Sequence, residues 1–267
     1  MLNGAKNLLA ALAVLIFLTA PFAQAGDTLD RVVENRTLVI GISGDQPPMN
    51  MLNRQGELMG FDVDLGRAMA SAMHAKPEFS RMPFGELMEA LDDGEVDLVI
   101  SGMAITAERS REASFAGPYM MGGKSILATR TALDEIAAGG IAAAEVKLAA
   151  LENSTSATFI REAAPMATLV EVSNYDEAVQ LVTNGEVAAM VADAPVCQLQ
   201  VLRNPDAGLV TLDKPLTIEP FGMAVPASDP ELLNLVQNFL RTYEATGLLG
   251  ALREKWLESS SWIAAMP

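Results

Sequence analysis

Three short stretches place charged or hydroxyl side chains directly after apolar runs, where a folded chain tends to present them to a cleft. Arg109 lies in Ile105-Thr106-Ala107-Glu108-Arg109, shortly after the run that ends at Ser101-Gly102. A guanidinium offers a rigid fork of N–H donors that meets a carboxylate at two points. A solvated helix arginine has the same spacing, and Arg111 is read that way. Asp193 closes the apolar part of Val191-Ala192-Asp193-Ala194-Pro195. Its carboxylate suits a ligand ammonium, or else the cap of a helix that starts near Pro195. Asn153-Ser154-Thr155-Ser156 joins an apolar run to a helical stretch. Free N–H groups and hydroxyls at such a start form an anion site, unless they serve only to cap the helix. Phe84 and Tyr119 suit either a ligand wall or the core.

Other chemistries lack their residues. The sequence has no nucleophile elbow, phosphate-binding glycine loop or zinc helix motif. His74 is the single histidine and Cys197 the single cysteine. A His- or Cys-based metal site is therefore out of reach, and no calcium loop pattern is present, so neither a metal nor a cofactor is expected. Cys197 has no partner for a disulfide within the chain and reads as a small buried hydrophobe. A net charge of −16 argues against nucleic acid as a partner. It leaves room for a small anion held by one buried arginine.

The elements that must position these groups can be read from the pattern. Hydrophobic residues make up 50% and charged residues 19%, the balance of a chain that folds around a core. Thr37–Ser43, Phe79–Met82 and Val96–Ser101 read as strands, the last a continuous apolar run of the kind found in a sheet covered on both faces. Between them, Asp62 reads as the cap of a helix whose inner face carries Leu65, Met69 and Met73, and a second helix runs over Gly85–Asp92. Asn53-Arg54-Gln55-Gly56 reads as a hairpin turn. Later strands are expected at Val146–Leu151, Thr168–Val172 and Val187–Ala192, with helices at Thr155–Ala163, Tyr175–Thr183 and Pro195–Arg203. Leu232, Leu235, Val236, Phe239 and Leu240 form one more helical stripe after Asp229-Pro230. Lys124–Thr129 and Phe221–Val225 are extended apolar runs flanking the middle part. Alternation of strand and helix predicts parallel sheet.

One echo suggests two halves of similar plan. Asp93-Gly94-Glu95-Val96 enters the run ending at Ser101-Gly102, and Asn184-Gly185-Glu186-Val187 enters the run ending at Asp193. Ligands of open α/β sheets sit beyond the carboxyl ends of strands, which places a pocket between the two halves. At the start of the chain, Lys6, the apolar run Leu8 to Ala20 and Ala23-Gln24-Ala25 have the form of a cleaved secretory signal over residues 1–25.

From Gly60-Phe61-Asp62-Val63-Asp64-Leu65-Gly66-Arg67-Ala68-Met69-Ala70 onward the sequence resembles the family 3 extracellular solute-binding proteins, the periplasmic components of polar amino acid ABC transporters. The likeness continues through Asp97-Leu98-Val99-Ile100-Ser101-Gly102-Met103, Thr106-Ala107-Glu108-Arg109, Phe115-Ala116-Gly117-Pro118-Tyr119 and Glu254-Lys255-Trp256-Leu257. The resemblance implies a two-lobed α/β fold, each lobe a mostly parallel sheet flanked by helices, with two crossover strands as hinge. Lobe 1 is expected over 27–127 plus 221–267 and lobe 2 over 128–220. It further implies a periplasmic monomer that closes on a small amino acid or related carboxylate and docks on a membrane ABC permease. Arg109 would clasp the ligand carboxylate and Asp193 its ammonium. Ser101, Gly102, Ser154 and Thr155 would complete the polar grip, and Phe84 would cover the ligand.

Departures from the pattern touch the same pocket. Ala104 stands where the family usually has a hydroxyl, Met49 and Gln46 where aromatics are common, and Asn153 where Gly is usual. Cyclohexadienyl (arogenate) dehydratases resemble the same family and offer an enzymatic alternative. Their pattern has a Glu shortly after the turn that opens lobe 2; here Ala157 stands there with Thr158 next, so an acid for a leaving hydroxyl is missing and no enzyme is expected. A third reading is a separate ligand-binding subunit of a sensor.

Overall fold

The computed structural model describes residues 27–143, 145–259 and 261–266. The signal read over 1–25 lies outside the described residues. The strands come in this order: β1 (Thr37–Ile42), β2 (Asp45–Gln46), β3 (Asn50–Leu52), β4 (Leu58–Met59), β5 (Lys76–Arg81), β6 (Leu98–Val99) and β7 (Ala113–Gly122). They continue with β8 (Lys124–Thr129), β9 (Lys147–Leu151), β10 (Thr168–Val172), β11 (Ala189–Asp193), β12 (Leu209–Thr211) and β13 (Glu219–Pro226). The helices are α1 (Asp27–Asn35), α2 (Phe61–Ala72), α3 (Leu87–Asp92), α4 (Arg130–Gly139) and α5 (Thr155–Ala163). Then follow α6 (Tyr175–Thr183), α7 (Ala194–Arg203), α8 (Pro230–Ala245) and α9 (Leu248–Arg253).

Two five-stranded sheets carry the fold, in the orders β5-β1-β6-β13-β7 and β10-β9-β11-β8-β12. In the first, β5, β1 and β6 run parallel, while β13 is antiparallel to both β6 and β7. In the second, β10, β9 and β11 run parallel, while β8 is antiparallel to both β11 and β12. The α/β class and two-lobed plan are as expected, with parallel pairing confined to three strands of each sheet. The antiparallel members β8 and β13 are the strands nearest the passages between the sheets. The two orders match place for place, so β6 and β11 occupy equivalent positions. The sequence echo reflects this, since Gly94 and Gly185 both turn into their strands with positive φ, 73 and 71.

The chain leaves the first sheet at Gly123 and returns between β12 and β13. Lys124–Thr129 therefore lies wholly in the second sheet and Glu219 in the first, so the change of sheet falls at Gly123 rather than at 127. A Cβ on Gly123 would overlap the Thr217 carbonyl oxygen. Only glycine lets the two connecting segments lie this close.

Apolar stripes face inward as the helical period requires. Leu65 and Met69 of α2 are fully buried against Leu38 and Ile40 of β1 and Val236 of α8. Each such side chain contributes about 2 kcal/mol by leaving water. A second core around Ile126, Leu148, Ile160 and Val191 fills the other half. A third joins Leu87, Val96 and Val99 of the first half to Leu127 and Val196 of the second.

Three local expectations change. The apolar run Val96–Ser101 pairs as a strand only over Leu98–Val99. Side chains take part of its edge: Asp97 Oδ2 accepts from Val39 N at 2.7 Å, and Ser101 Oγ accepts from Ser43 N at 3.1 Å. The helix read from Gly85 begins as a 3-10 turn over Phe84–Glu86 and becomes α-helical at Leu87. Asp62 is not a cap. Gly60 holds that position, and Asp62 is buried within the first turn of α2.

Candidate functional site

Arg109 opens a short 3-10 turn between β6 and β7. Its approach is fixed by Ala104, which bridges Phe221 of β13, and by Thr106, whose Oγ1 accepts from Arg109 N at 3.1 Å. The side chain is 9% exposed. Nη1 donates to the Ala104 carbonyl at 3.0 Å and Nη2 to the Asn153 carbonyl at 2.9 Å. The guanidinium carbon lies 5.4 Å from the centre of the Phe84 ring, within cation–π range. Asn153 follows β9 and sits in the left-handed region, φ 53, a conformation asparagine tolerates. Burial pulls the guanidinium below its ordinary pKa, and the charges of Asp193 and Glu219 oppose that shift. A guanidinium has five donors; with the two carbonyls served, three face no protein acceptor among the described residues.

Asp193 ends β11 and is almost wholly buried. It occupies the N-cap position of α7 but makes no side-chain cap bond. The carboxylate is committed elsewhere: Lys124 Nζ donates to Oδ1 at 2.8 Å and Gln46 Nε2 to Oδ2 at 3.3 Å. Burial pushes this carboxyl above the usual range, and Lys124 recovers part of the shift. Lys124 also meets Glu219 Oε2 at 3.1 Å. Glu219 accepts from Thr155 Oγ1 at 2.8 Å and from Thr217 Oγ1 at 2.9 Å. Partial burial alone would push the Glu219 carboxyl up; Lys124 and the two hydroxyls outweigh it and hold Glu219 below its ordinary value. Gln46 Oε1 is buried with no partner among the described residues. Leaving such an acceptor unmet costs about 1–3 kcal/mol.

A second network holds the loop after β6. Asp62 accepts from Gly102 N at 2.8 Å, Tyr119 Oη at 2.9 Å and Asn50 Nδ2 at 3.0 Å. Asn50 Oδ1 in turn accepts from Ser43 Oγ at 3.0 Å and Gly44 N at 2.7 Å. Burial pushes the Asp62 carboxyl up to about 7, against those three donors. Gly102 has φ 53, and a Cβ there would meet Gln46 Nε2 at 2.9 Å. Tyr119 is thus a core residue with its hydroxyl spent on Asp62, not a ligand wall.

A groove of about 770 Å³ runs between the halves, and Phe84, Arg109, Ser154 and Thr155 line it. Gln46, Ser101, Gly102, Ala104 and Asp193 lie buried outside that lining. Ser154 is the N-cap of α5: its Oγ accepts from Ala157 N at 3.2 Å and donates to Leu151 O at 2.6 Å. Ser101 Oγ and the Gly102 N–H are spent on Ser43 and Asp62. Lys124 and Glu219 were missed as site residues by the sequence reading. Their signal is a buried lysine opening an apolar strand, which demands a counter-charge. Among the described residues no group of His, Cys, Asp and Glu could hold a metal ion. The arrangement offers a cation with free donors on one side, and on the other a carboxylate with an unmet amide oxygen.

Comparison with known proteins bears on this geometry. The family model of bacterial extracellular solute-binding proteins, family 3, matches residues 38–259. The ABC transporter glutamine-binding protein GlnH of Bacillus subtilis is 28% identical over 87% of this chain and 85% of its own. The cyclohexadienyl dehydratase of Pseudomonas aeruginosa is 28% identical over 95% of both chains. The solved structure of an ancestral arginine-binding protein bound to arginine superposes with a TM-score of 0.76 at 30% identity, covering 83% of this chain and 98% of that one. With the match spanning both sheets and the groove between them, this chain belongs to the bacterial extracellular solute-binding proteins, family 3.

Proposed function

We propose that this protein captures a small amino acid-like ligand in the groove between two lobes and delivers it to an ABC permease, acting in the periplasm after loss of its signal. The observation that carries the reading is the placement of Arg109 and Asp193. They come from different halves of the chain, and each is buried with donor or acceptor capacity left over. Arg109 takes the ligand carboxylate. Asp193 Oδ2 and Gln46 Oε1, buried beside the groove rather than in its lining, take N–H groups of its ammonium once the lobes part to admit it. The lobes comprise the two sheets with their helices, and the crossings at Gly123 and before Glu219 act as the hinge. The relative named for glutamine binding supports an amino acid as the ligand.

The test is a thermal-shift screen of the mature protein, unfolded and refolded to strip bound ligand, against amino acids and related carboxylates. A ligand that binds only the folded state raises the melting temperature with concentration. A rise with one amino acid class is expected; no rise with any amino acid would overturn the reading.

The match to a cyclohexadienyl dehydratase along the full length favours a second reading. Against it, the position read for a catalytic Glu carries buried Ala157, and Glu219, held below its ordinary pKa, makes a poor proton donor. Turnover of prephenate or arogenate by the purified protein would establish the enzyme; its absence alongside amino acid binding supports the binding protein.

A further inference from the structure

Resting on the amino acid reading above, we propose that Lys124 sets the charge class of the ligand: its own ammonium already occupies Asp193 and Glu219, the carboxylates that a second ammonium of a basic amino acid would need, so the site accepts one positive charge and rejects two.

Lys124 of β8 stands directly opposite Asp193 of β11 in the antiparallel ladder. Its backbone is pinned on both sides, since Leu216 N donates to its carbonyl at 2.7 Å and its own N donates to Thr217 Oγ1 at 2.9 Å. The side chain is only 3% exposed. Its ammonium bridges Asp193 and Glu219, the two carboxylates nearest it, at 2.8 and 3.1 Å.

Charge then divides the site. Around Lys124 stand two carboxylates and one ammonium, a net of one negative charge. At the other end Arg109 supplies one positive charge. A molecule with a single ammonium and a single carboxylate neutralises both ends. Capacity agrees with charge. Glu219 already accepts from Thr155, Thr217 and Lys124, so it has little to offer a ligand. Asp193 retains acceptor sites beyond the Lys124 and Gln46 bonds, and Gln46 Oε1 has none of its donors supplied. These suit one ammonium. A second ammonium or guanidinium placed beside Lys124 would meet its buried charge, with Glu219 already filled and Asp193 taken by the first ammonium, an arrangement that works as a built-in repulsion against basic ligands there. The site thus differs in selectivity from the relative solved with arginine, within the same fold.

The test uses the stripped, refolded mature protein titrated with glutamine, glutamate, arginine and lysine, read by calorimetry and thermal shift. For the wild type, binding of glutamine or glutamate without arginine or lysine is expected. K124Q exposes two unneutralised carboxylates and is expected to bind arginine or lysine at least tenfold more tightly than the wild type does. The double variant K124Q/E219Q restores a net of one negative charge and is expected to lose that gain. Wild-type binding of arginine or lysine as tight as that of glutamine or glutamate overturns the proposal while leaving the amino acid reading intact. So does a folded K124Q that keeps the wild-type order. Failure of every amino acid on the wild type overturns the amino acid reading and this proposal with it. Should K124Q not fold, E219Q asks the same question: loss of one acid is expected to shift preference from glutamine toward glutamate by about tenfold, and an unchanged ratio overturns the proposal.

Discussion

Arg109 reaches across the groove and donates its Nη2 to the carbonyl oxygen of Asn153, 2.9 Å away on the other half of the molecule. One side chain thus ties the halves together and retains donors for a ligand. R109A should lower ligand affinity by about a hundredfold or more, the scale of removing one partner from a buried charged pair. The fold should hold at reduced stability, because each half keeps its own core and the losses are the Phe84 contact, worth about 1 kcal/mol, and two hydrogen bonds to carbonyls, worth about 1.5–3 kcal/mol each. Calorimetric titration and a melting curve on the same sample separate the two effects. Affinity unchanged in a folded R109A would remove Arg109 from the site.

Under the proposed function, Asp193 divides its carboxylate between Lys124 and the ligand. D193N keeps the shape but replaces one of the two accepting oxygens by a donating NH2 and removes the negative charge from beside Lys124. Amino acids should weaken by tenfold or more, while simple carboxylates lacking an ammonium should lose little, because their grip is at Arg109. Parallel titrations with glutamate and a dicarboxylate without the amine would check this. Equal loss for both would mean that Asp193 serves only to hold Lys124.

Arg109 and Asp193 stood out because each follows an apolar run, and both are buried in the fold; the family resemblance, not the spacing, assigned them to a ligand. Phe84 was assigned to the ligand by the resemblance alone, and Thr155 stood out by its place at the start of a helix. The repeat of Gly94 and Gly185 revealed two halves of one plan before any strand order was known. Lys124 and Glu219 were not read as site residues because their meaning depends on long-range pairing. Lys124 opens an apolar run that looks like core, and only its register with Asp193 places it beside that carboxylate. Asp62 was misread for a related reason. An acid near a helix start has a local explanation as a cap, whereas its partners Asn50, Gly102 and Tyr119 come from three separate segments. The strand around Leu98 was overextended because apolar composition does not show that Asp97 and Ser101 side chains take up the Val39 and Ser43 amides of β1.

Cys197 should be inert in the native protein. It is fully buried, and burial pushes its thiol up to about 12, so almost no thiolate forms at neutral pH. A thiol reagent should label it only at the rate at which the chain opens, rising with denaturant as the fold is lost. Rapid labelling without denaturant would show that α7 opens locally.

Asp62 should leave a signature in the pH dependence of stability. Burial raises its carboxyl from 3.8 to about 7 in the folded chain. The folded protein then keeps a proton that the unfolded chain has given up. This contribution to stability is fully present below the unfolded value and is lost as pH rises through the folded one. D62N cannot titrate, so the wild-type stability minus that of D62N should fall between about pH 4 and 7, by at most about 1.4 kcal/mol per unit. Denaturant unfolding of both proteins across that range would show it, and a difference independent of pH would mean that the three donors hold Asp62 ionised throughout.

Gly123 tests the crossing between the sheets. G123A adds one methyl where the Thr217 carbonyl oxygen already lies, with Pro215 Cβ 3.0 Å away. The connecting segments must move apart, stressing the Lys124 N to Thr217 Oγ1 bond and the Leu216 N to Lys124 O bond. Overpacking of this kind costs about 1–3 kcal/mol, measurable by urea unfolding. Because Lys124 is the next residue, the shift should also move its ammonium relative to Asp193 and Glu219. Ligand affinity should therefore fall along with stability, whereas an alanine at the exposed turn glycine Gly56, where no atom lies within 4 Å of the added carbon, should alter stability but leave affinity as it was. Loss of affinity in both variants would trace the effect to general destabilisation; loss in G123A alone would place the crossing in control of the site.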